Sequence, residues 1–217
     1  MLKDDKTLQS DVMRELGWDP AVAAAHVGVS AKDGAVTLTG RVSTYNELVH
    51  AVAAAERVYG VRAIADELEI ELRGSHSRHD PAVAEAIAHV FRWDNEVPDT
   101  VEAKVSRGWV TLKGKVDWHF ERDAAKRAVQ NITGVRGVTN EITVNPRPKT
   151  ADLRKRIDDA FTRVADLDAR QIRVTITNGS VHLDGHVHSL REAKTARSAV
   201  AAAPGVRRVD NRLSIIP

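Results

Sequence analysis

From residue 182 to residue 188, His182, Asp184, His186 and His188 recur at every second position. In a strand that spacing puts all four side chains on one face. Imidazoles and a carboxylate in such a row form a ligand set suited to zinc or nickel. The corresponding positions elsewhere carry Thr37, Thr39, Arg41 and Ser43, then Thr111, Lys113, Lys115 and Asp117. A solvated strand face is therefore the plainer reading. Asp66, Asn140 and Asn211 also fall at one shared position, in the inward phase of a strand. They could bond a turn or a helix end, or present oxygen to a cation such as potassium. Arg62, Arg136 and Arg207 each follow a Gly-Val pair, and Arg208 and Arg212 add to the last of these. Phased arginines could grip phosphate groups, with a salt bridge to Glu67 or Glu141 as the duller alternative. His76 and His79 lie in a polar joint and read as solvated.

Nothing in the chain resembles catalytic machinery. Without cysteine there is neither a thiolate nucleophile nor a disulfide. Gly-x-Ser-x-Gly, the phosphate-binding Gly-x-x-x-x-Gly-Lys-Ser/Thr and His-Glu-x-x-His are all missing. We therefore expect no enzyme and no cofactor. Trp109 at a hairpin turn and Trp118 at a helix start could form an exposed pair suited to a membrane interface or a protein partner.

The elements that position these residues repeat three times. Gly34-Ala-Val-Thr-Leu-Thr-Gly40, Gly108-Trp-Val-Thr-Leu-Lys-Gly114 and Gly179-Ser-Val-His-Leu-Asp-Gly185 share one pattern. A further glycine, Gly60, Gly134 or Gly205, comes twenty residues later and precedes Val-Arg. Each copy reads as a hairpin: Val27, Val29 and Ala31 in its first strand, then Val36, Leu38, Gly40 and Val42 in its second. Since Gly40, Gly114 and Gly185 fall in the inward phase, a helix backbone is expected to approach the sheet there. Leu8, Val12 and Leu16, and their equivalents Val83, Ile87 and Val90 or Leu153, Ile157, Phe161 and Val164, form an amphipathic first helix. A second helix opens with the capping boxes Thr44-x-x-Glu47 and Ser189-x-x-Glu192, while Trp118 stands at the cap of the middle copy before Glu121. A last strand follows the Gly-Val turn. The fold expected is α+β: three tandem α-β-β-α-β domains over 1–74, 75–148 and 149–217, each a three-stranded mixed sheet with both helices on one face.

Charge is unevenly spread over these thirds. Residues 1–74 hold 8 Lys and Arg against 12 Asp and Glu, residues 75–148 hold 11 against 10, and residues 149–217 hold 13 against 8. The last third is thus basic and could attract the phosphates of lipid or nucleic acid. The charged N-terminus lacks the apolar run of a signal peptide, and no stretch is long and apolar enough to span a membrane as a helix. A cytoplasmic location is expected.

The order helix, Asp/Asn-Gly turn, Val-x-Leu-x-Gly-x-Val, helix, Gly-Val and an Asn-bearing last strand resembles the BON domain, in three tandem copies. The Trp18-Asp19 and Trp93-Asp94 pairs are similar to its cytoplasmic three-domain subgroup. The resemblance implies a bacterial osmotic-stress or envelope role, with contact to phospholipid or holding of protein. One cytoplasmic branch of the family implies potassium binding. The expected function is a non-enzymatic, stress-associated binding or scaffold protein that meets an anionic phospholipid surface multivalently. A potassium-responsive module and a holdase-like protein-interaction role are the alternatives, and nucleic acid is not favoured.

Overall fold

A computed structural model describes residues 3–71, 79–145, 153, 157–158, 160–161, 171–177, 179–203, 205–206 and 208–216. Its first copy runs α1 (Asp5–Trp18), β1 (Val27–Lys32), β2 (Ala35–Val42), α2 (Tyr45–Arg57) and β3 (Ala63–Ile70). The second runs α3 (Asp80–Trp93), β4 (Val101–Ser106), β5 (Trp109–Val116), α4 (His119–Gln130), β6 (Gly137–Asn140) and β7 (Thr143–Val144). The third contains β8 (Ile172–Thr177), β9 (Ser180–Val187), α5 (Leu190–Ala201) and β10 (Arg208–Ile215). Its first helix is represented by Leu153, Ile157 and Phe161, all helical and buried. Val164 lies outside the described residues.

Each sheet keeps its hairpin antiparallel and adds the last strand beside the second, with orders β1-β2-β3, β4-β5-β6 and β8-β9-β10. The last strand runs parallel to the second in the middle and third copies, because a helix crossover returns the chain to the same end. In the middle copy this strand breaks after Asn140 and resumes as β7, still parallel to β5. The α+β architecture is as the repeat predicts.

The two-residue turns come from the glycines. Asp33 and Gly34 have φ of 51° and 83°, Arg107 and Gly108 of 52° and 78°. Two successive positive φ values make the type I′ turn, whose twist suits a hairpin. Both turns are held from outside. Asp5 Oδ1 accepts the Asp33 N–H at 2.9 Å, while Asp80 accepts those of Arg107 at 2.7 Å and Gly108 at 2.8 Å. The first turn of helix one is thereby fastened to the hairpin tip. Replacing Asp80 by Ala is expected to cost the middle domain about 2 kcal/mol, and Asp5→Ala about half as much in the first, since it loses one bond rather than two. Urea midpoints of the two variants test this, and equal losses would contradict it.

Gly40, Gly114 and Gly185 correct one expectation. The close approach exists, but it comes from the neighbouring strand. A Cβ on these glycines would be driven into the carbonyl oxygens of His26, Thr100 and Gln171, the residues just before β1, β4 and β8. The φ values of 115°, 139° and 130° show why. Each glycine stands opposite the first residue of its partner strand, Val27, Val101 or Ile172, with its backbone against it.

The cores lie between helices and sheet. Around Leu112 gather Val83, Ile87, Val110, Ala125 and Val129; around Leu183 gather Ile157, Phe161, Val181, Ala196 and Val200. Alanines on the second helix let it sit close to the strands, as their spacing implies. The capping boxes form as read: Thr44 Oγ1 and Ser189 Oγ accept the Glu47 and Glu192 amides at 3.1 Å. Glu47, Glu121 and Glu192 each reach back to an amide before the helix, at Ser43, Asp117 and His188. Trp118, with no oxygen to offer, leaves the middle box half made.

By Cα proximity the chain forms two compact units. One holds residues 1–40, 50–67 and 146–217, the other residues 41–49 and 68–145. Within the first unit, Lys194 Nζ meets Glu56 at 2.7 Å, the Gly60 N–H points to the His188 carbonyl at 3.4 Å, and the Tyr59 and His188 rings lie 5.7 Å apart.

Candidate functional site

The phased arginines stand at the hairpin end of their domains. Arg62 and Arg136 follow the buried glycine turn, and their amides bond the carbonyls of Gly34 and Gly108 at 2.8 Å. Their aliphatic stems then cross the hairpin glycines: a Cβ on Gly34 would strike Arg62 Cδ, and one on Gly108 would strike Arg136 Cγ. Absence of a side chain at the turn is thus what lets the stem of each arginine cross it. Both residues are exposed and form no ion pair among the described residues. Glu141 bonds Lys113 at 3.4 Å instead of the arginine. Arg208 opens β10 at the corresponding end and is exposed; Arg207 lies outside the described residues. Arg212 differs. Its Nε and a terminal nitrogen donate to Asp210 at 3.0 and 2.7 Å.

The histidine row sits on the outer, helix-free face of the third sheet as far as His186, but its members are divided among separate partners. His182 Nδ1 lies 3.1 Å from Asp210 Oδ2 and His186 Nδ1 lies 2.6 Å from Ser214 Oγ, both across the parallel pair. His188 has left the strand and stacks near Tyr59. Arg212 first, and His182 second, hold the Asp210 carboxyl below the usual carboxylate range. Among the described residues no three His, Cys, Asp or Glu side chains gather as a metal would require.

The amides proposed for a cation are occupied in part by structural bonds. Asn140 donates to the Arg122 carbonyl of α4 at 2.9 Å and accepts the Ile142 N–H at 3.1 Å, spanning the break between β6 and β7. Asn211 accepts the Leu213 N–H at 3.2 Å. Despite their inward phase, Asp66 and Asn211 are exposed.

Trp109 and Trp118 do not make a pair. Trp109 lies flat over Gly137 in the next strand and donates to Thr139 at 2.8 Å, whereas Trp118 stacks with Phe120. Among the described residues the most exposed large hydrophobic side chains are instead Trp18 at 84% and Trp93 at 74%, on the last turns of α1 and α3. Their partners in the Trp-Asp pairs have a structural task. Asp19 and Asp94 cap the helices, and each carboxylate accepts the amide two residues on, at Ala21 and Glu96. Asp19 also meets His50 at 3.5 Å and Arg57 at 3.4 Å, tying α1 to α2. Residue spacing gave no sign of this long-range set.

Burial alone would raise the Asp19 carboxyl, but the Ala21 amide, His50 and Arg57 outweigh it and hold it below its ordinary value. Such a group stabilises the fold above its unfolded pKa of about 3.9 and loses that contribution as the pH falls through its folded value. Asp19→Asn is expected to cost about 1 kcal/mol near neutral pH, and less as the pH drops below about 4. Urea titrations at neutral and acid pH check the sign. A difference that widens in acid would reverse it.

The geometry so far defines a tandem array of small α+β modules, with charged tips and open outer sheet faces. The BON domain matches three times, over residues 4–71, 79–146 and 149–217, and the chain belongs to the BON domain family. It is similar to osmotically-inducible protein Y of Escherichia coli (strain K12), with 27% identity over 128 residues. That match covers 55% of this chain and 64% of the relative, so the chain spans less than two thirds of that protein's length. Among solved structures it is similar to CdsD, a structural protein of the type III secretion system of Chlamydia trachomatis. The C-terminal domain of CdsD gives 14% identity and a TM-score of 0.26, covering 99% of this chain and 100% of that one. A second CdsD structure gives 15%, 0.27, 97% and 93%. No helix among the described residues is long and apolar enough to cross a membrane.

Proposed function

We propose that this is a non-enzymatic, stress-associated binding protein that meets an anionic phospholipid surface through the hairpin ends of its BON domains. The observation that carries this reading is the matched placement of Arg62 and Arg136, exposed and without an ionic partner among the described residues. Arg208 and the surplus of 13 basic over 8 acidic residues in the last third add to it. A guanidinium held at a tip offers several donors to a phosphate, and each contact is weak alone. Several tips acting together gain by effective concentration. The reading places the contact on the cytoplasmic leaflet, where anionic lipid attracts basic protein surface.

Flotation with vesicles of anionic and of zwitterionic lipid tests it. The chain should float with the anionic vesicles at low salt and be released as salt is raised. Arg62→Glu with Arg136→Glu should lower the bound fraction at least several-fold while the chain stays folded. Equal recovery with both lipids, or no response to the two substitutions, would count against it.

A protein-binding reading draws on Trp18 and Trp93. Each is the last residue of a 14-residue helix, about 21 Å long, whose first residue, Asp5 or Asp80, fastens the hairpin tip. They therefore serve a different contact from the arginines. Beside Trp93, a groove of about 340 Å³ between α3 and β4 is lined by Ala84, Ala88, Phe91, Pro98 and Ala103. In the first domain Gln9 stands where Ala84 does, and it covers the edge by donating to the Val29 carbonyl at 2.7 Å.

A further inference from the structure

We propose that the chain pairs with a second copy of itself through β4, the first strand of the middle sheet, laid antiparallel against the β4 of the partner. β4 is an edge: the order is β4-β5-β6, with β7 also on β5, and among the described residues no strand pairs with its other side. Ser106 and Trp109 flank the two-residue turn. They therefore form a hydrogen-bonded pair, and every second residue back from Ser106 bonds inward to β5. Val101, Ala103 and Val105 turn their N–H and carbonyl groups outward instead, to the open edge. Val101 already commits its N–H to the Pro98 carbonyl at 3.0 Å.

In the first domain the same edge is closed. Val29, which stands opposite Leu38 as Ala103 does opposite Leu112, accepts a hydrogen bond from Gln9 at 2.7 Å. Ala84 holds that place in α3 and has no group to offer. Ala103 is exposed despite its inward phase, and the groove lined by Ala84, Ala88 and Phe91 lies open beside it.

Charge selects the partner and the register. Glu102 and Lys104 share the outer face of β4, and both are exposed. With the twofold axis at Ala103, each Glu102 stands opposite the partner's Lys104 and each Lys104 opposite the partner's Glu102, so every charge on the strand meets its opposite. In this register the two Ala103 residues exchange two hydrogen bonds, and each Val105 N–H donates to the carbonyl of the partner's Val101. Sliding the strands by two residues, the next step that keeps such bonds, sets Glu102 against Glu102 or Lys104 against Lys104. Gly28 and Ser30 of β1, and Arg173 and Thr175 of β8, hold the equivalent positions and offer no such match.

The pair is isologous, so one edge of one domain in each chain makes the whole contact. Six strand residues run about 20 Å, and with α3 behind them the edge is about 25 Å deep. Each chain thus covers roughly 500 Å², at the low end, where complexes are weak and exchange readily. Main-chain hydrogen bonds supply the affinity, as they do whenever a strand adds to a sheet edge. A dissociation constant in the micromolar range is expected. This inference gives the groove of the protein-binding reading a partner and rests on that reading; it does not depend on lipid contact.

Sedimentation velocity of the full chain, over roughly a hundredfold range of micromolar concentrations, should show monomer passing into dimer. Glu102→Lys and Lys104→Glu each set like charges against one another at both facing pairs, and each should weaken the dimer roughly tenfold or more. The double variant restores opposite charges and should pair as the parent does, and so should an equal mixture of the two single variants. Ala103→Pro removes the central edge N–H but no bond of the hairpin, so it should abolish pairing while circular dichroism still reports a folded chain. Trp18→Ala, which removes the exposed tryptophan of the first domain, should pair like the parent. A chain that stays monomeric, single charge variants that pair undiminished, or a double variant that does not recover would overturn the proposal. A dimer lost with Trp18→Ala but kept by the strand variants would also overturn it, and would leave the tryptophan surface as the protein contact.

Discussion

Replacing Gly114 by alanine is expected to unfold the middle domain at a temperature where the parent chain is still native. Two costs coincide at this residue. Its φ of 139° lies where a side chain is strained by about 1–3 kcal/mol. The new methyl would also press on the Thr100 carbonyl, which is backbone and cannot turn aside. Overpacking adds a further 1–3 kcal/mol or so. A domain of this size has a total stability of roughly 3–10 kcal/mol, so most of it is lost. Gly17→Ala is the control, since a Cβ there meets nothing within 4 Å. Thermal melts followed by circular dichroism distinguish the two. If Gly114→Ala melts like the control, the strained approach of β5 to the start of β4 is wrong.

A second large loss is expected from Leu112→Ala. Leu112 has no exposed surface and sits at the centre of the middle core, as Leu38 and Leu183 do at the same position of the other copies. Removing three carbons and leaving a void there costs about 3 kcal/mol, within a usual range of 2–5. Its neighbour Lys113 points to the opposite face and is 62% exposed. Lys113→Ala should stay within about 0.5 kcal/mol of the parent. Urea midpoints of the pair test the register directly. Similar losses for both would mean that the strand does not present alternate residues to the core.

Much of this architecture was legible because it is carried by local rules repeated three times. Alternating apolar residues set the inward phase of each strand, and glycine spacing set the hairpin and the crossover. Thr44, Ser189 and their glutamates marked helix starts. What escaped the sequence depends on groups distant along the chain. Asp5 and Asp80 stand at the same offset before Leu8 and Val83, yet as first-turn acids they look like ordinary partners of the helix dipole. Only the fold brings them to the hairpin amides. The glycines at 40, 114 and 185 announced a tight approach but not its source, because the carbonyl they meet belongs to the paired strand. Trp109 is exposed as read, but it lies over Gly137, a neighbour set by strand pairing, and not beside Trp118. For the candidate site, the arginine positions were readable, but their freedom from Glu67 and Glu141 was not. The self-matching charges of Glu102 and Lys104 carried no meaning until the fold left β4 at a sheet edge.

The contact of Lys194 with Glu56 joins residues 138 positions apart. Every bond that defines a single BON domain, by contrast, closes within one repeat. The first domain ends at residue 71, so at about 5–20 residues per second it is complete roughly 6–25 s before Lys194 has been made. Over that interval the corner around Tyr59 and Gly60 lacks the His188 and Lys194 that later cover it. The contacts of the first domain with the third thus form after synthesis of the whole chain, not domain by domain.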